Sequence, residues 1–174
     1  MPSIFYLPDA AVDPGLDIEL RTLLSACFIQ PHHAVFREHR HFCYPPQHRW
    51  LMRDHAGRLI AQMAVHERQV VAAERSWAAG GLAEVCVHPD VQRRGLMREL
   101  LARVHDDLHQ RGVAFAVLFG NPAVYGSSGY FAPQNISIGP DARGCWEPAP
   151  RALVRVLGAQ GWPTGDVRVP GPAF

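Results

Sequence analysis

The feature that most constrains the fold is a strand, a loop, a helix and a second strand in the middle of the chain. Residues 113–119 carry no polar side chain, which is typical of a strand covered on both faces. Residues 82–87 form an apolar run interrupted only by Glu84. Between the two runs, the leucines and valine of residues 95–111 recur at the spacing of one helix face, and Gly112 follows as a helix-ending glycine. This order favours a right-handed crossover between parallel strands.

The rest of the chain predicts a mixed α/β domain. Residues 16–28 place leucines at helical spacing, and Pro31 ends that helix. The sequence Ala79-Gly80-Gly81 breaks the strand pattern. Strands are also expected at residues 3–7, 49–53, 59–66, 69–73, 136–138 and 152–157.

Length and charge narrow the class of protein. The chain has 174 residues and a net charge of +1, so we expect one domain over residues 1–174 and no nucleic-acid partner. No apolar run is long enough to cross a membrane. Residues 147–174 hold five prolines and predict an irregular C-terminal arm. Four cysteines without a C-x-x-C pair predict reduced thiols and a cytoplasmic protein.

The loop before the central helix has the composition of an anion site. Arg93, Arg94 and Arg98 stand at the helix start, although the positive end of the helix dipole favours acidic residues there. A bound anion would offset this conflict by accepting hydrogen bonds from the first-turn N–H groups. Gly95 would let such a ligand approach the backbone. The alternative is a solvated basic turn on an ordinary crossover.

This segment resembles the acyl-CoA-binding motif of the GNAT superfamily of N-acetyltransferases. That motif is Gln/Arg-x-x-Gly-x-Gly/Ala after a strand that ends in V-x-P. Gln92, Gly95 and the sequence Val87-His88-Pro89 match it, whereas Met97 replaces the usual small residue.

A second segment resembles the closing motif of the same family. There a tyrosine is followed four and five residues later by glycine and an aromatic residue, as Tyr125, Gly129 and Tyr130 are here. Asn121 precedes Tyr125 at a spacing shorter than in many members of the family. The two motifs stand in the family's order, separated by one helix and one strand.

The resemblance implies a GNAT-like acyl-CoA N-acyltransferase fold of the α/β class, with a mixed twisted sheet, two splayed parallel strands and flanking helices. It also implies acetyl-CoA as a co-substrate and no metal. The loop amides would bind the pyrophosphate, and residues 82–87 and 113–119 would admit the pantetheine. The implied acetyl-CoA-binding residues are Val85, Cys86, Val87, Gln92, Arg93, Arg94, Gly95, Leu96, Met97, Arg98, Asn121 and Tyr125.

The implied reaction is direct transfer of acetyl from acetyl-CoA to a primary amine. Tyr125 is the expected acid, because a phenol has a pKa near that of a thiol; otherwise it is a core tyrosine. Glu84 is the expected base, because a carboxylate in an apolar strand is costly without a role. Its alternatives are an anchor for a cationic substrate, or an ion pair with an arginine such as Arg68 or Arg75. Cys86 is expected to be a buried thiol rather than a nucleophile.

Residues 32–48 contain five histidines, and we expect this segment to line the acceptor site rather than to hold a metal. Its aromatic residues Phe36, Phe42 and Tyr44, and Trp50 after it, belong either to the core or to the acceptor wall. The acceptor is a small-molecule or protein amine, and the chain is a monomer or a homodimer. The alternative function is an acyl-CoA-binding regulatory or interaction module without transfer activity.

Overall fold

A computed structural model describes residues 2–140 and 143–174. Residues 1, 141 and 142 fall within the predicted domain and lie outside the described residues. The described α-helices are α1 (Pro14–Cys27), α2 (Leu96–Gln110) and α3 (Pro122–Tyr125). Described 3-10 helices cover Asp9–Ala11, Pro31–Arg37, Pro89–Val91 and Gly126–Ser128. The described strands are β1 (Ser3–Pro8), β2 (His48–Arg53), β3 (Leu59–Ala72), β4 (Arg75–Val87), β5 (Phe115–Phe119), β6 (Ile136–Gly139), β7 (Glu147–Pro148), β8 (Ala152–Val156) and β9 (Val167–Pro170).

The chain divides into two compact units. The first unit comprises Met1–His66 and Ala83–Val104, and the second comprises Glu67–Leu82 and His105–Phe174. The long strands β3 and β4 contribute residues to both units.

In the first unit, β1, β2 and β3 are joined in antiparallel order. Helix α1 begins at Pro14, because the side chain of Asp13 accepts a hydrogen bond from the Leu16 N–H at 2.8 Å and so caps the helix. The buried face of α1 packs with the 3-10 helix at Pro31–Arg37 and with the strands in one apolar cluster, whose buried members are Leu20, Leu23, Leu24, Phe36, Leu51, Leu59 and Cys86.

In the second unit, the strand order is β7-β6-β9-β3-β4-β5-β8. Strands β4 and β5 are parallel from Ala79 opposite Phe115 to Leu82 opposite Leu118. The first four residues of β5 are buried, as expected for a strand covered on both faces. Helix α2 precedes β5, and Gly112 follows it with a φ of +78°, so the predicted crossover and helix-ending glycine are confirmed. The α/β class with a mixed sheet is confirmed as well.

Three sequence expectations differ from the structure. Residues 59–66 and 69–73 form one continuous strand, β3. Strand β4 passes through the glycines that were expected to break it, and Gly81 lies against the ring of Phe174, where a Cβ would come within 2.7 Å of Cζ. Residues 147–174 hold the strand expected at 152–157, as β8, and they also hold β7 and β9 where an irregular arm was expected. No described helix has the length and apolar character needed to span a membrane.

Candidate functional site

The loop between β4 and α2 is shaped by two residues with left-handed backbone. Arg93 has a φ of +63° and Gly95 a φ of +79°. The Nε2 of Gln92 donates to the Val87 carbonyl at 3.1 Å and so closes the loop on the end of β4. Gly95 has no atom within 4 Å of the position that a Cβ would occupy. The loop therefore presents its backbone to open space at the start of α2.

The electrostatics of this loop favour an anion. Arg93, Arg94 and Arg98 are exposed. The Glu99 N–H makes the first hydrogen bond of α2, to the Gly95 carbonyl at 3.1 Å. The N–H groups before it have no acceptor within the helix, and they add to the positive end of the dipole. The backbone and the side chains of this loop thus offer hydrogen-bond donors and positive charge.

Glu84 interrupts the regularity of β4. Its φ is +46°, a left-handed conformation that is rare and strained for a residue with a side chain. Its carbonyl accepts a hydrogen bond from the Gln62 side-chain amide. Residues 84 and 85 are half-buried, whereas their neighbours on both sides are buried. The strand is therefore kinked at the carboxylate, as strands are at β-bulges.

The Glu84 carboxylate is only partly satisfied. Its Oε1 accepts the Phe42 backbone N–H at 3.0 Å. Its Oε2 is buried and has no hydrogen-bond partner among the described residues. Burial raises the pKa of Glu84, and the Phe42 N–H and the charge of Arg49 oppose that rise only in part. A buried oxygen with a raised pKa and no partner is suited to accept a proton.

A buried polar network supports this region of the first unit. Arg49 is fully buried; its guanidinium donates to Asp9 Oδ1 at 2.5 Å and to Gln62 Oε1 at 2.9 Å. Arg40 donates to Asp9 Oδ2 at 2.7 Å. Burial alone would raise the pKa of Asp9, but the hydrogen bonds from Arg40 and Arg49 outweigh it and hold the pKa below its ordinary value. The network therefore links the buried Asp9 to Gln62, which holds the kink at Glu84.

Cys86 is a buried thiol. Its contact with the thiol of Cys27, together with burial, raises its pKa well above the ordinary value. The Cys27 thiol donates to the Val87 carbonyl at 3.4 Å. A protonated, buried thiol is a poor nucleophile, which agrees with the expected structural role.

The histidine-rich segment divides into core and surface. Phe36 and Trp50 are 2% and 0% exposed, whereas Phe42 and Tyr44 are 44% and 52% exposed. The first two therefore belong to the core, and the last two remain candidates for an acceptor wall. Among the described residues, no group of three or more His, Cys, Asp or Glu side chains is placed to hold a metal ion.

In the second unit, Asn121 is the N-cap of helix α3, and Tyr125 is the last residue of that helix. Asn121 caps the helix through its Oδ1, which accepts the Ala123 N–H at 2.9 Å. The Tyr125 ring lies against Gly120, where a Cβ would come within 2.6 Å of it. It also meets the ring of Tyr130 edge-on, with centroids 5.9 Å apart. The Tyr125 ring is thus held by its contacts with Gly120 and with the ring of Tyr130.

Tyr130 is itself held by a buried partner. Its hydroxyl and His105 Nε2 are 2.8 Å apart, and both side chains are buried. Burial, with a further contribution from Arg155, lowers the pKa of His105 to about 3. The imidazole is therefore neutral at physiological pH, and the pair supports the ring against which Tyr125 rests.

The structure brings together, within the first unit, the site residues predicted at positions 84–87 and 92–98. It places Asn121 and Tyr125 in the second unit. Both arginines suggested for an ion pair with Glu84 lie over aromatic rings instead. Arg68 lies over the Phe174 ring, Arg75 lies over Trp77, and the cation that influences Glu84 is Arg49.

Sequence reasoning missed the residues that support Glu84. Gln62 is the only polar residue in positions 59–65, and that exception in an apolar strand was the available signal. Asp9 and Phe42 gave no comparable signal, because their contacts join positions far apart in the sequence.

Comparisons with known proteins identify the family of the chain and show proteins that share its fold. The family model described as an acetyltransferase (GNAT) domain matches residues 18–132. A GNAT family N-acetyltransferase from Escherichia coli, solved in complex with CoA, has a similar fold with a TM-score of 0.69 at 20% identity, over 96% of this chain and 88% of that one. No curated protein matches the sequence significantly.

Two further solved structures share the fold. The ribosomal-protein-S18-alanine N-acetyltransferase from Escherichia coli has a TM-score of 0.59 at 20% identity, over 92% of this chain and 97% of that one. A GNAT family acetyltransferase from Brucella melitensis, in complex with acetyl-CoA, has a TM-score of 0.59 at 18% identity, over 95% of this chain and 94% of that one. The family model covers well over half of the chain, and the chain therefore belongs to the GNAT acetyltransferase family.

Proposed function

We propose that this protein is an N-acetyltransferase that transfers acetyl from acetyl-CoA to a primary amine by direct attack. The observation that carries the proposal is the loop from Gln92 to Arg98. This loop contains two residues with left-handed backbone, has open space beside Gly95, and carries three exposed arginines at the start of a helix.

The loop residues fit a bound pyrophosphate. Backbone N–H groups from residues 93–98 would donate to its oxygens, and the arginines would offset its charge. Met97, which replaces a small residue of the family motif, is half-buried. Its side chain does not remove any backbone N–H group that would bind the pyrophosphate. Residues 85–87 at the end of β4, together with Asn121 and Tyr125, complete the proposed acetyl-CoA contacts.

Acetyl-CoA supplies an acyl group activated as a thioester. Glu84 would accept the proton that the amine loses as its nitrogen bonds to the acetyl carbon, either directly or through a water molecule. Tyr125 would donate its phenolic proton to the departing sulfur as the carbon–sulfur bond breaks. Proton transfer from Glu84 to Tyr125 through solvent would then restore both groups. The described residues need no metal for these steps.

Replacing Tyr125 with Phe tests the transfer step. We expect kcat to fall roughly 100-fold, because the acid is lost, while the acetyl-CoA dissociation constant changes less than about twofold. The assay measures release of free CoA thiol in the presence of an amine. Tyr44→Phe removes an exposed phenol from the first unit and serves as the control. Unchanged turnover in Tyr125→Phe would remove this residue from the mechanism.

The second candidate function is an acyl-CoA-binding module without transfer activity. Its support is the departure at Met97 and the short spacing of Asn121 from Tyr125. An acetyl-CoA complex that never yields an acetylated amine, with a broad set of amines, would favour it.

We also propose a cytoplasmic location, consistent with the four free cysteines among the described residues, and a monomer or homodimer.

A further inference from the structure

Four rings of the first unit, those of Phe28, His33, Phe36 and Phe42, form an aromatic surface. Phe28 lies 5.2 Å from His33 and 5.2 Å from Phe36 between ring centroids. Phe42 lies 6.0 Å from His33 and 6.1 Å from Phe36. Phe36 is 2% exposed and anchors the surface, whereas Phe42 is 44% exposed. The surface therefore offers ring area to a ligand without being fully buried.

Phe42 connects this surface to the proposed base. Its backbone N–H binds Glu84 Oε1 at 3.0 Å, and its ring belongs to the aromatic surface. A substrate whose amine reached Glu84 would have its body beside these rings. A cavity of about 360 Å³ opens beside the same surface and is lined in part by Phe28 and His33. That volume suits a small organic molecule.

Charge in this region disfavours a substrate with several ammonium groups. Glu84 Oε2 is the only buried carboxylate oxygen without a partner among the described residues. The carboxylates of Asp9 and Asp17 are already occupied by Arg40. Arg37 lines the cavity and is exposed, so a second ammonium would meet a positive charge.

We infer that the acceptor is a monoamine with an aromatic or other flat apolar body, rather than a polyamine or an aminoglycoside. The inference rests on the proposed function and specifies the substrate class of the same site. One ammonium group matches the one buried carboxylate oxygen that has no partner among the described residues, and the body packs against the aromatic surface. Flat apolar bodies bury more area against rings than hydrated sugars or flexible cationic chains do.

The test compares kcat/KM for four amines with acetyl-CoA. These are 2-phenylethylamine, ethylamine, spermidine and kanamycin. We expect 2-phenylethylamine to exceed spermidine and kanamycin at least tenfold. A preference for spermidine or kanamycin would overturn the inference and leave the transferase function intact. Turnover with none of a broad set of amines would instead count against the proposed function.

Variants of Phe42 separate recognition from folding. Phe42→Ala keeps the backbone N–H that binds Glu84 and removes only the ring. We expect Phe42→Ala to lower kcat/KM for 2-phenylethylamine at least tenfold, mainly through a higher KM. The value of kcat/KM for ethylamine should change less than twofold. Phe131→Ala removes a phenylalanine ring of similar exposure, 41%, from the second unit and should leave both values unchanged. Equal losses for both amines in Phe42→Ala would show a structural role and overturn the inference.

Binding gives a readout that does not depend on turnover. Calorimetric titration of the CoA-saturated protein with 2-phenylethylamine should give tighter binding than titration with spermidine. Phe42→Ala should weaken the binding of 2-phenylethylamine and leave that of spermidine unchanged. Tighter binding of spermidine would contradict the inference even if the assay conditions gave no turnover.

Discussion

Replacement of Glu84 with Gln is expected to lower kcat/KM roughly 10²- to 10⁴-fold, the usual contribution of a general base. The amide keeps an oxygen that can accept the Phe42 N–H but has no site for the amine proton. Steady-state release of CoA thiol measures the effect. Glu74→Gln, in the exposed turn between β3 and β4, is the matched control and should retain full activity.

The pH dependence of the wild-type enzyme should carry the signature of Glu84. Burial raises the pKa of this carboxyl, and a base acts in its ionised form. The value of kcat/KM should therefore fall as the pH is lowered through a pKa above the ordinary range of a glutamate. An acid limb at the ordinary glutamate pKa, or an unchanged limb in Glu84→Gln, would exclude Glu84 as the base.

The raised pKa of Glu84 also affects stability, which should fall with rising pH where activity rises. The native state binds the Glu84 proton more tightly than the unfolded chain does, so the free energy of unfolding falls as the pH rises from the ordinary pKa through the raised one. Glu84→Gln should remove this decrease. Urea denaturation at several pH values, compared between the wild type and the variant, measures both curves.

Replacement of Arg49 with Met is expected to give the largest loss of stability, about 3–5 kcal/mol. Arg49 is 0% exposed and its partner Asp9 is 4% exposed. The substitution leaves the buried carboxylate with Arg40 as its remaining ionic partner and removes a donor from Gln62. For a chain of this size, the loss corresponds to a melting temperature lower by roughly 6–20 °C. Urea denaturation gives the free energy directly.

Arg58→Met is the matched control for this effect. Arg58 pairs with Asp54 and Asp90, but its side chain is 47% exposed. Exposed ion pairs contribute about 0–1 kcal/mol, so the control should change stability by no more than that. Equal losses in the two variants would contradict the account of the buried network.

The sequence predicted the crossover well because its signals are local. The buried strand, the helix face and Gly112 each follow from neighbouring residues, and the basic loop follows from residues 92–98. The continuous path of β4 through Gly80 and Gly81 could not be predicted in this way. The ring of Phe174, which is distant in sequence, occupies the space that a side chain at position 81 would fill.

The residues proposed for the site stand out in the sequence, whereas the contacts that hold them in place do not. Glu84 was conspicuous as a charged residue in an apolar strand. Its left-handed backbone and the buried arrangement of Asp9, Arg49 and Gln62 depend on contacts between distant segments. The contact between the Phe42 N–H and Glu84 joins residues 42 positions apart, and no periodicity of the sequence encodes it.

The central claim is that the loop from Gln92 to Arg98 binds acetyl-CoA. The most direct measurement is the thermal unfolding shift with saturating acetyl-CoA, with ATP and NAD as controls. At 100 times its dissociation constant, a ligand stabilises the folded state by about 2.7 kcal/mol, which raises the melting temperature of a chain of this size by roughly 5–10 °C. We predict that shift for acetyl-CoA and none of comparable size for ATP or NAD. A folded protein whose melting temperature does not respond to acetyl-CoA would contradict the claim.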